Sequence, residues 1–373
     1  MIIAVNTSFT TGDSLNHVDD FIFENFSRLA TQYPQHQFIY IFNKPIDAKY
    51  LTSKNIIPVA AGQQTNNTLV LQYRLNYKIP AILRKYKADV FVNAGGYCSL
   101  RTKVPQCIIV NDLSFLKHPY FFTSNFLRFY KKNTAKFLSK ANHIITTSQF
   151  LKQEIIDQYK IKSDKIEVVY YGINQNFKPV SWQQKDNTKE IYTEGVEYFL
   201  YSGTIGLQKN LMALLKAFSF FKKRQKSNMQ LVLASLNAAD KILIASIATF
   251  KYRSDVKVLH NLSNEVLAKI TAAAYALVYP VLYEGFAVSI TEAMQTDVPV
   301  ITSRLSAIPE ICGDAALYMA PTDFNDIADK MMLLFKNESE RNLLIIKGRQ
   351  QAGLYNWDKS ADLVWNAVIK CAN

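Results

Sequence analysis

Residues 279–294 read YPVLYEGFAVSITEAM, and they decide the fold. Just before and into this stretch, residues 272–281 form an apolar run closed by Pro280, the pattern of a buried strand and its exit. Gly285, Phe286 and Ala287 follow as a small-residue turn, and residues 288–294 have helical composition. Strand, tight turn and helix in that order aim free backbone N–H groups and the positive end of the helix dipole at one spot. Such a spot suits an anion, typically a phosphate. Two carboxylates frame it, Glu284 in the turn and Glu292 in the helix, with seven residues between them. At about 1.5 Å of rise per residue they lie roughly 10 Å apart, too far for a tight acid/base dyad. They suit the two ends of an extended ligand, although a loop glutamate followed by an ordinary helix glutamate has the same spacing.

Working back from this stretch, the second half of the chain repeats one grammar. Residues 198–201 read as a strand, SGTIGLQKN (202–210) as a loop, and residues 211–221 as an amphipathic helix. Gly203 and Gly206 after a strand, with Lys209 just before a helix, can place an ammonium beside a phosphate. The loop is neither a Walker loop nor G-x-G-x-x-G, so alone it is a weak signal. Residues 229–234, 256–259 and 299–302 supply further strands, and helices cover 326–335, 338–348 and 360–370.

The first half has the same order. Residues 1–5 and 38–42 read as strands around a loop containing Gly12 and a helix carrying Val18, Phe21, Ile22, Phe26 and Leu29. Ligands of parallel α/β sheets sit at the carboxyl ends of strands, which puts Gly12 on the functional edge or in a plain connecting loop. Strands at 90–93 and 108–110 end in polar turns, the second at Asn111 and Asp112; Asp112 suits a polar contact or a cap for the next segment. A helix over 124–141 carries Arg128, Lys132, Lys136 and Lys140 in steps of four beside aromatics, and residues 73–87 repeat the theme. Such a ladder is a solvated face or a dock for anionic headgroups. The polar, aperiodic residues after Pro179 read as a linker.

The whole chain bounds the alternatives. Its 373 residues suffice for two domains, and 43 Lys and Arg against 30 acids favour an anionic partner. Cys98, Cys107, Cys312 and Cys371 have no metal-ligand or disulfide spacing, which points to a reducing compartment. Residues 1–5 lack the features of a signal peptide and no apolar run suffices to span a bilayer, so the expected location is cytoplasmic, with any membrane contact peripheral at the inner face.

Four segments carry a resemblance: YEGFAVSITEAM, SGTIGLQKN, the run HIITTSQFLKQEIIDQYKIKSDKIEVVYYGIN beginning at His143, and PVITSRLSAIPEICGDAALYM beginning at Pro299. Together they resemble retaining glycosyltransferases of family 4, with the GT-B fold. That implies an α/β chain of two Rossmann-like domains facing across a cleft: an acceptor domain (1–178), a linker (179–197), a donor domain (198–355) and a C-terminal helix (356–373) crossing back to the first. It implies a nucleotide-diphosphate sugar as donor, bound by Gly203, Thr204, Asn261, Leu262, Gly285, Phe286, Ala287, Val288 and Glu292. Glu292 would hold the ribose, Asn261 and Leu262 would wall the base, Glu284 would contact the sugar near its reacting carbon, and Lys209 would neutralise the departing diphosphate. Gly12, Asn111 and Asp112 would face a saccharide or lipid-linked acceptor. No metal or other cofactor is expected, since no D-x-D pattern sits at a strand end, and no nucleic acid, since no recognition motif accompanies the charge.

The chain also departs from the pattern. Relatives often carry an arginine where this chain has Thr204 or Gln208, a G-F-G-L-P run where it has Phe286, Ala287, Val288 and Ser289 after Gly285, and His-Asp where it has Asn111-Asp112. Asparagine can bond a hydroxyl but cannot take a proton. These departures motivate an alternative, a sugar-nucleotide-binding or scaffold protein of the same fold with impaired catalysis.

Overall fold

Nearly every strand is an uninterrupted apolar run, as strands buried on both faces by helices must be. The computed structural model describes residues 1–7, 16–42, 50–62, 65, 67–205, 209–236 and 241–372. It divides into one unit made of residues 1–172 and 356–373 and a second of residues 173–355.

The first unit contains β1 (Ile2–Asn6), α1 (Asn16–Gln32), β2 (Gln37–Phe42), β3 (Ile56–Ala60), α2 (Thr68–Tyr73), α3 (Ile79–Lys85), β4 (Val90–Asn93), β5 (Gln106–Val110), α4 (Ser124–Lys140), β6 (His143–Thr146), α5 (Gln149–Tyr159) and β7 (Ile166–Val168). Its strands are parallel in the order β3-β2-β1-β4-β5-β6-β7. Across the reversal between β1 and β4 the buried amides of Asn6 and Asn93 are bonded at 2.9 Å. Gly12 lies outside the described residues.

The second unit contains α6 (Trp182–Thr193), β8 (Tyr198–Ser202), α7 (Leu211–Gln225), β9 (Gln230–Ala234), α8 (Lys241–Ala248), β10 (Val256–Leu259), α9 (Asn264–Ala273), β11 (Ala276–Tyr279), α10 (Val288–Gln295), β12 (Val300–Ser303), α11 (Ile308–Cys312), β13 (Ala316–Met319), α12 (Phe324–Lys336) and α13 (Glu338–Ala352). Its parallel order is β10-β9-β8-β11-β12-β13, with the reversal between β8 and β11. Right-handed crossovers then send α7 and α10 to opposite faces, which leaves a crevice at the carboxyl ends of β8 and β11. Phe199, fully buried, packs edge-on against Phe221 of α7 at 5.1 Å and Tyr275 at 5.8 Å. Each such ring contributes about 1.5–3 kcal/mol of burial.

The structure corrects three boundaries. The expected linker is not a linker: residues 182–193 are α6, started by a capping box in which the Ser181 hydroxyl accepts the Gln184 N–H and the Gln184 side chain accepts the Ser181 N–H. The first unit ends at Gly172 and not at residue 178, because Phe177 is buried in the core of the second. The apolar run 272–281 is divided, its first two residues closing α9 and only Ala276–Tyr279 forming strand.

The chain returns to the first unit through α14 (Trp357–Ala372), which packs on α1 and against β4, β5 and β6. Trp357 seats it, lying edge-on to Phe21 and Tyr171 and covering Gly172 so closely that a Cβ there would stand 2.3 Å from the indole Cγ and 2.4 Å from the Trp357 backbone nitrogen. No helix among the described residues is long and apolar enough to cross a membrane. Since backbone cannot yield as a flexible side chain does, Gly172→Ala is expected to lower the unfolding free energy by about 1–3 kcal/mol in urea denaturation. An unchanged midpoint would contradict this packing.

Candidate functional site

The second unit's reversal point gathers the charged groups. Lys209, in the loop between β8 and α7, and Glu284, in the turn between β11 and α10, form an ion pair of 2.6 Å, Nζ to Oε1. Both are largely shielded, with 20% and 15% of their side chains exposed, so removing either would leave a poorly solvated charge. The same Oε1 accepts the Tyr279 hydroxyl at 2.9 Å. The Glu284 backbone N–H donates to the Ser306 hydroxyl at 2.9 Å, which fixes the turn from beneath.

Tyr279 belongs to a two-ring floor. Its ring stacks on that of Tyr201, from the neighbouring strand, at 5.6 Å. The Tyr201 hydroxyl donates to the Thr204 carbonyl at 3.0 Å and so holds the Gly203-Thr204 loop. Burial, and then the Glu284 carboxylate, push the Tyr279 phenol well above its ordinary pKa, and the same two causes act on Tyr201. Both phenols therefore stay protonated and donate. Gly203 has φ +145°, and a Cβ there would meet the Tyr201 hydroxyl at 3.1 Å. Only glycine lets the loop lie on this floor.

The flanking loops leave the same edge of the sheet. Gly203 N–H donates to Ala234 O at 3.1 Å, Ser235 N–H to Leu259 O at 2.9 Å and Leu262 N–H to Ser235 O at 3.2 Å. This chain of bonds links the ends of β8, β9 and β10, with Asn261 in a left-handed conformation at φ 55°. On the other side Ala287 precedes α10 without a side-chain cap, so the backbone donors at the helix start are not capped from within. Phe286 packs edge-on against Tyr355 at 5.5 Å. Glu292 is buried on α10.

The structure thus places Gly203, Thr204, Lys209, Asn261, Leu262, Glu284, Gly285, Phe286 and Ala287 on loops that leave the carboxyl ends of strands and Val288 at the first position of α10, with Glu292 buried in the second turn of that helix. Gln208 lies outside the described residues. Asn111 and Asp112 belong to the first unit, at the end of β5. Asn111 donates from Nδ2 to the Tyr171 hydroxyl at 2.8 Å, and its Oδ1 is buried without a hydrogen-bond partner. Asp112 accepts the Ser114 N–H at 2.5 Å, which is the capping role its sequence position allows. Among the described residues no three His, Cys, Asp or Glu side chains converge as a metal-ligand set.

Sequence reasoning missed four groups: Tyr201, Tyr279, Ser306 and Asn210. The signal for the tyrosines was a polar-tipped ring closing an apolar strand at each side of the reversal.

Two family models match the chain, "Glycosyltransferase Family 4" over residues 36–177 and "Glycosyl transferases group 1" over residues 183–351. The chain belongs to glycosyltransferase family 4. It is 27% identical over 287 residues to the O-antigen chain mannosyltransferase B of Escherichia coli, covering 76% of this chain and 75% of that one. Against the O-antigen chain mannosyltransferase RfbU of Salmonella typhimurium the identity is 26%, with 74% of each chain covered. Among solved structures, WaaG, a glycosyltransferase involved in lipopolysaccharide biosynthesis, superposes with a TM-score of 0.77 at 14% identity over 98% of this chain and 99% of that one. Anabaena Alr3699/HepE, solved with UDP and glucose, gives 0.77 at 14% identity, covering 98% of both. The fold of this glycosyltransferase is GT-B, with two parallel α/β units.

Asn210 ties the lysine loop down. It is left-handed at φ 58°, and its Nδ2 donates to Pro280 O at 2.9 Å and to Pro321 O at 2.6 Å. Asn210→Ala loses both bonds and the residue type that tolerates this backbone, so a loss of about 2–3 kcal/mol in urea unfolding is expected. Asn210→Gly keeps the conformation and should lose less; equal losses would assign the whole effect to the hydrogen bonds.

Proposed function

We propose that this family 4 enzyme transfers a sugar from a nucleotide-diphosphate donor to an acceptor hydroxyl with retention of anomeric configuration, in the assembly of a cell-surface polysaccharide or glycolipid. The observation that carries the reading is the Lys209–Glu284 pair at the reversal point, beside an uncapped helix start. An ammonium and a helix N-terminus converging on one spot are what a leaving diphosphate requires. The names of the relatives support the acceptor class, since two are O-antigen chain mannosyltransferases, and HepE was solved with UDP and glucose.

In this reading the diphosphate lies on the N–H groups of Phe286, Ala287 and Val288, with Gly203, Thr204 and Gly285 alongside. Lys209 Nζ turns from Glu284 toward the phosphate. Tyr279 still bonds Glu284 Oε1 when Lys209 moves, and Oε2 is left for the sugar near its reacting carbon. Glu292 takes the ribose, and Asn261 and Leu262 wall the base. Among the described residues of the second unit none is placed as a general base, and in this reading the departing phosphate oxygen accepts the acceptor's proton on the face where the new bond forms. Catalysis is then positioning and stabilisation of the leaving group, with Lys209 supplying the charge that a metal supplies elsewhere. The acceptor, a saccharide or a lipid-linked one, meets the first unit near Gly12, Asn111 and Asp112; the enzyme works in the cytoplasm, at the inner face of the membrane. No nucleic acid takes part.

The impaired-protein alternative draws on Asn111, whose amide is engaged by Tyr171. Asn111 takes no proton in the mechanism above, so its engagement costs that mechanism nothing. Lys209→Ala and Glu284→Ala are each expected to lower kcat/KM by about 10²–10³ while unfolding remains cooperative. Release of nucleoside diphosphate measures the rate, and the anomeric proton coupling of the product measures retention. Near-normal turnover in both variants would sink the assignment.

A further inference from the structure

The charge of this chain is segregated. Between residues 48 and 153, 16 Lys and Arg stand against two acids, Asp89 and Asp112, while the rest of the chain carries 27 against 28. The whole excess therefore lies in one part of the first unit. The donor reading above does not use it.

Within that span α2 and α3 are joined by a π-helical turn, Arg74–Lys78, into one amphipathic rod. Leu71, Leu75, Ile79 and Leu83 point inward and are buried. The outward face is not polar: Leu69 is 73% exposed, Val70 43%, Tyr73 57% and Tyr77 49%. Tyr73 and Tyr77 stack at 5.3 Å. Asn76 accepts the Leu100 N–H at 2.9 Å and so holds the neighbouring loop, from which the Arg101 guanidinium covers the Tyr77 ring at 4.3 Å. Beyond the stripe Arg84, Lys85 and Lys87 are exposed, and α4, which packs beside α2, exposes Arg128, Lys131, Lys132, Lys136 and Lys140. Contiguous exposed apolar groups rimmed by one sign of charge mark an interaction surface. Tyrosines and aliphatic side chains amid lysine and arginine match the boundary between anionic headgroups and acyl chains. A nucleic acid would use the charge and the rings but leave Leu69 and Val70 in water.

We propose that this face docks on an anionic bilayer, with Leu69, Val70, Tyr73 and Tyr77 entering the headgroup layer and Arg84, Lys85, Arg101 and the basic residues of α4 meeting lipid phosphates. Ser99, next to Leu100 and Arg101, bonds the Gln106 side chain at the amino end of β5, while the chain enters α2 from the carboxyl end of β3, the sheet end that also carries Asn111 and Asp112. A bilayer at this face would present a lipid-linked acceptor to that end. This last step rests on the proposed function; the docking does not.

Co-sedimentation of the full chain with vesicles separates the two. Wild-type protein is expected to bind phosphatidylglycerol-containing vesicles and to leave pure phosphatidylcholine vesicles in the supernatant. Arg84→Gln with Lys85→Gln should weaken partitioning about thirtyfold, from about 1 kcal/mol per basic residue. Leu69→Ser with Tyr73→Ser should also weaken it and abolish the part that survives raised salt, and neither pair should change diphosphate release with a soluble acceptor. No binding to anionic vesicles, indifference to the apolar pair, or retention of RNA in place of vesicles would overturn the proposal. Docking without turnover of any donor would count against the proposed function and leave this surface standing.

Discussion

Strand order β10-β9-β8-β11-β12-β13 sends the crossover helices that leave β8 and β11 to opposite faces of the second sheet, and no helix then covers the strand ends at the reversal. Everything at the candidate site follows from that constraint. Backbone leaving β8 and β11 must turn in the open crevice, and its polar groups need partners there. The partners are local: Tyr201 for the Thr204 carbonyl, Ser306 for the Glu284 N–H and Asn210 for the carbonyls of Pro280 and Pro321. The two charges are satisfied by each other, at 2.6 Å in a largely shielded setting where neither alone would be well solvated. A ligand phosphate competing for Lys209 thus exchanges one ion pair for another, which makes the lysine's movement inexpensive, and Tyr279 remains to hold the carboxylate.

The fold was legible where burial is simple. Strands buried on both faces are short apolar runs that end at or near a Gly, Asn or Pro, and those at 90–93 and 198–201 read directly. The helix over 182–193 was not legible, because its pattern is inverted: Trp182 and Ile191 are exposed, while Thr188, Lys189 and Thr193 are buried. Lys189 is tolerated inside because its ammonium meets Glu197 at 2.6 Å and its stem covers apolar surface. An apolar period cannot reveal a helix whose buried face is polar, and only the cap at Ser181 marked it.

The site was legible as chemistry and not as geometry. Glycines, a lysine before a helix and a carboxylate after a strand are types that phosphate binding selects, so Gly203, Lys209 and Glu284 stand out in one dimension. Tyr279 and Tyr201 do not, since an aromatic ring closing an apolar run reads as core, and each is indeed buried. Their hydroxyls acquire roles only through the parallel pairing of β8 with β11, which sets two strand ends 78 residues apart side by side. The Asn111 position shows the converse. Its amide nitrogen meets the hydroxyl of Tyr171, brought in from beyond β7, a partner that residues 111 and 112 alone do not announce, and its Oδ1 is left buried without one.

Charge placement separates the two units further. At physiological ionic strength fields decay over about 8 Å, so surplus lysine and arginine spread along α3, α4 and the loop at residue 101 act on whatever touches those elements. The candidate donor site has its own cation in Lys209 and its own dipole in α10, both within the second unit. A surplus that served the donor would be expected near those loops, whereas outside residues 48–153 the chain is balanced to within one charge. Self-repulsion among 16 basic groups with two acids between them works against a compact state. A chain that tolerates this on one face, beside exposed leucine and tyrosine, has the charge for the extended anionic surface proposed above, while the lone cation and helix start of the second unit suit a single phosphate pair.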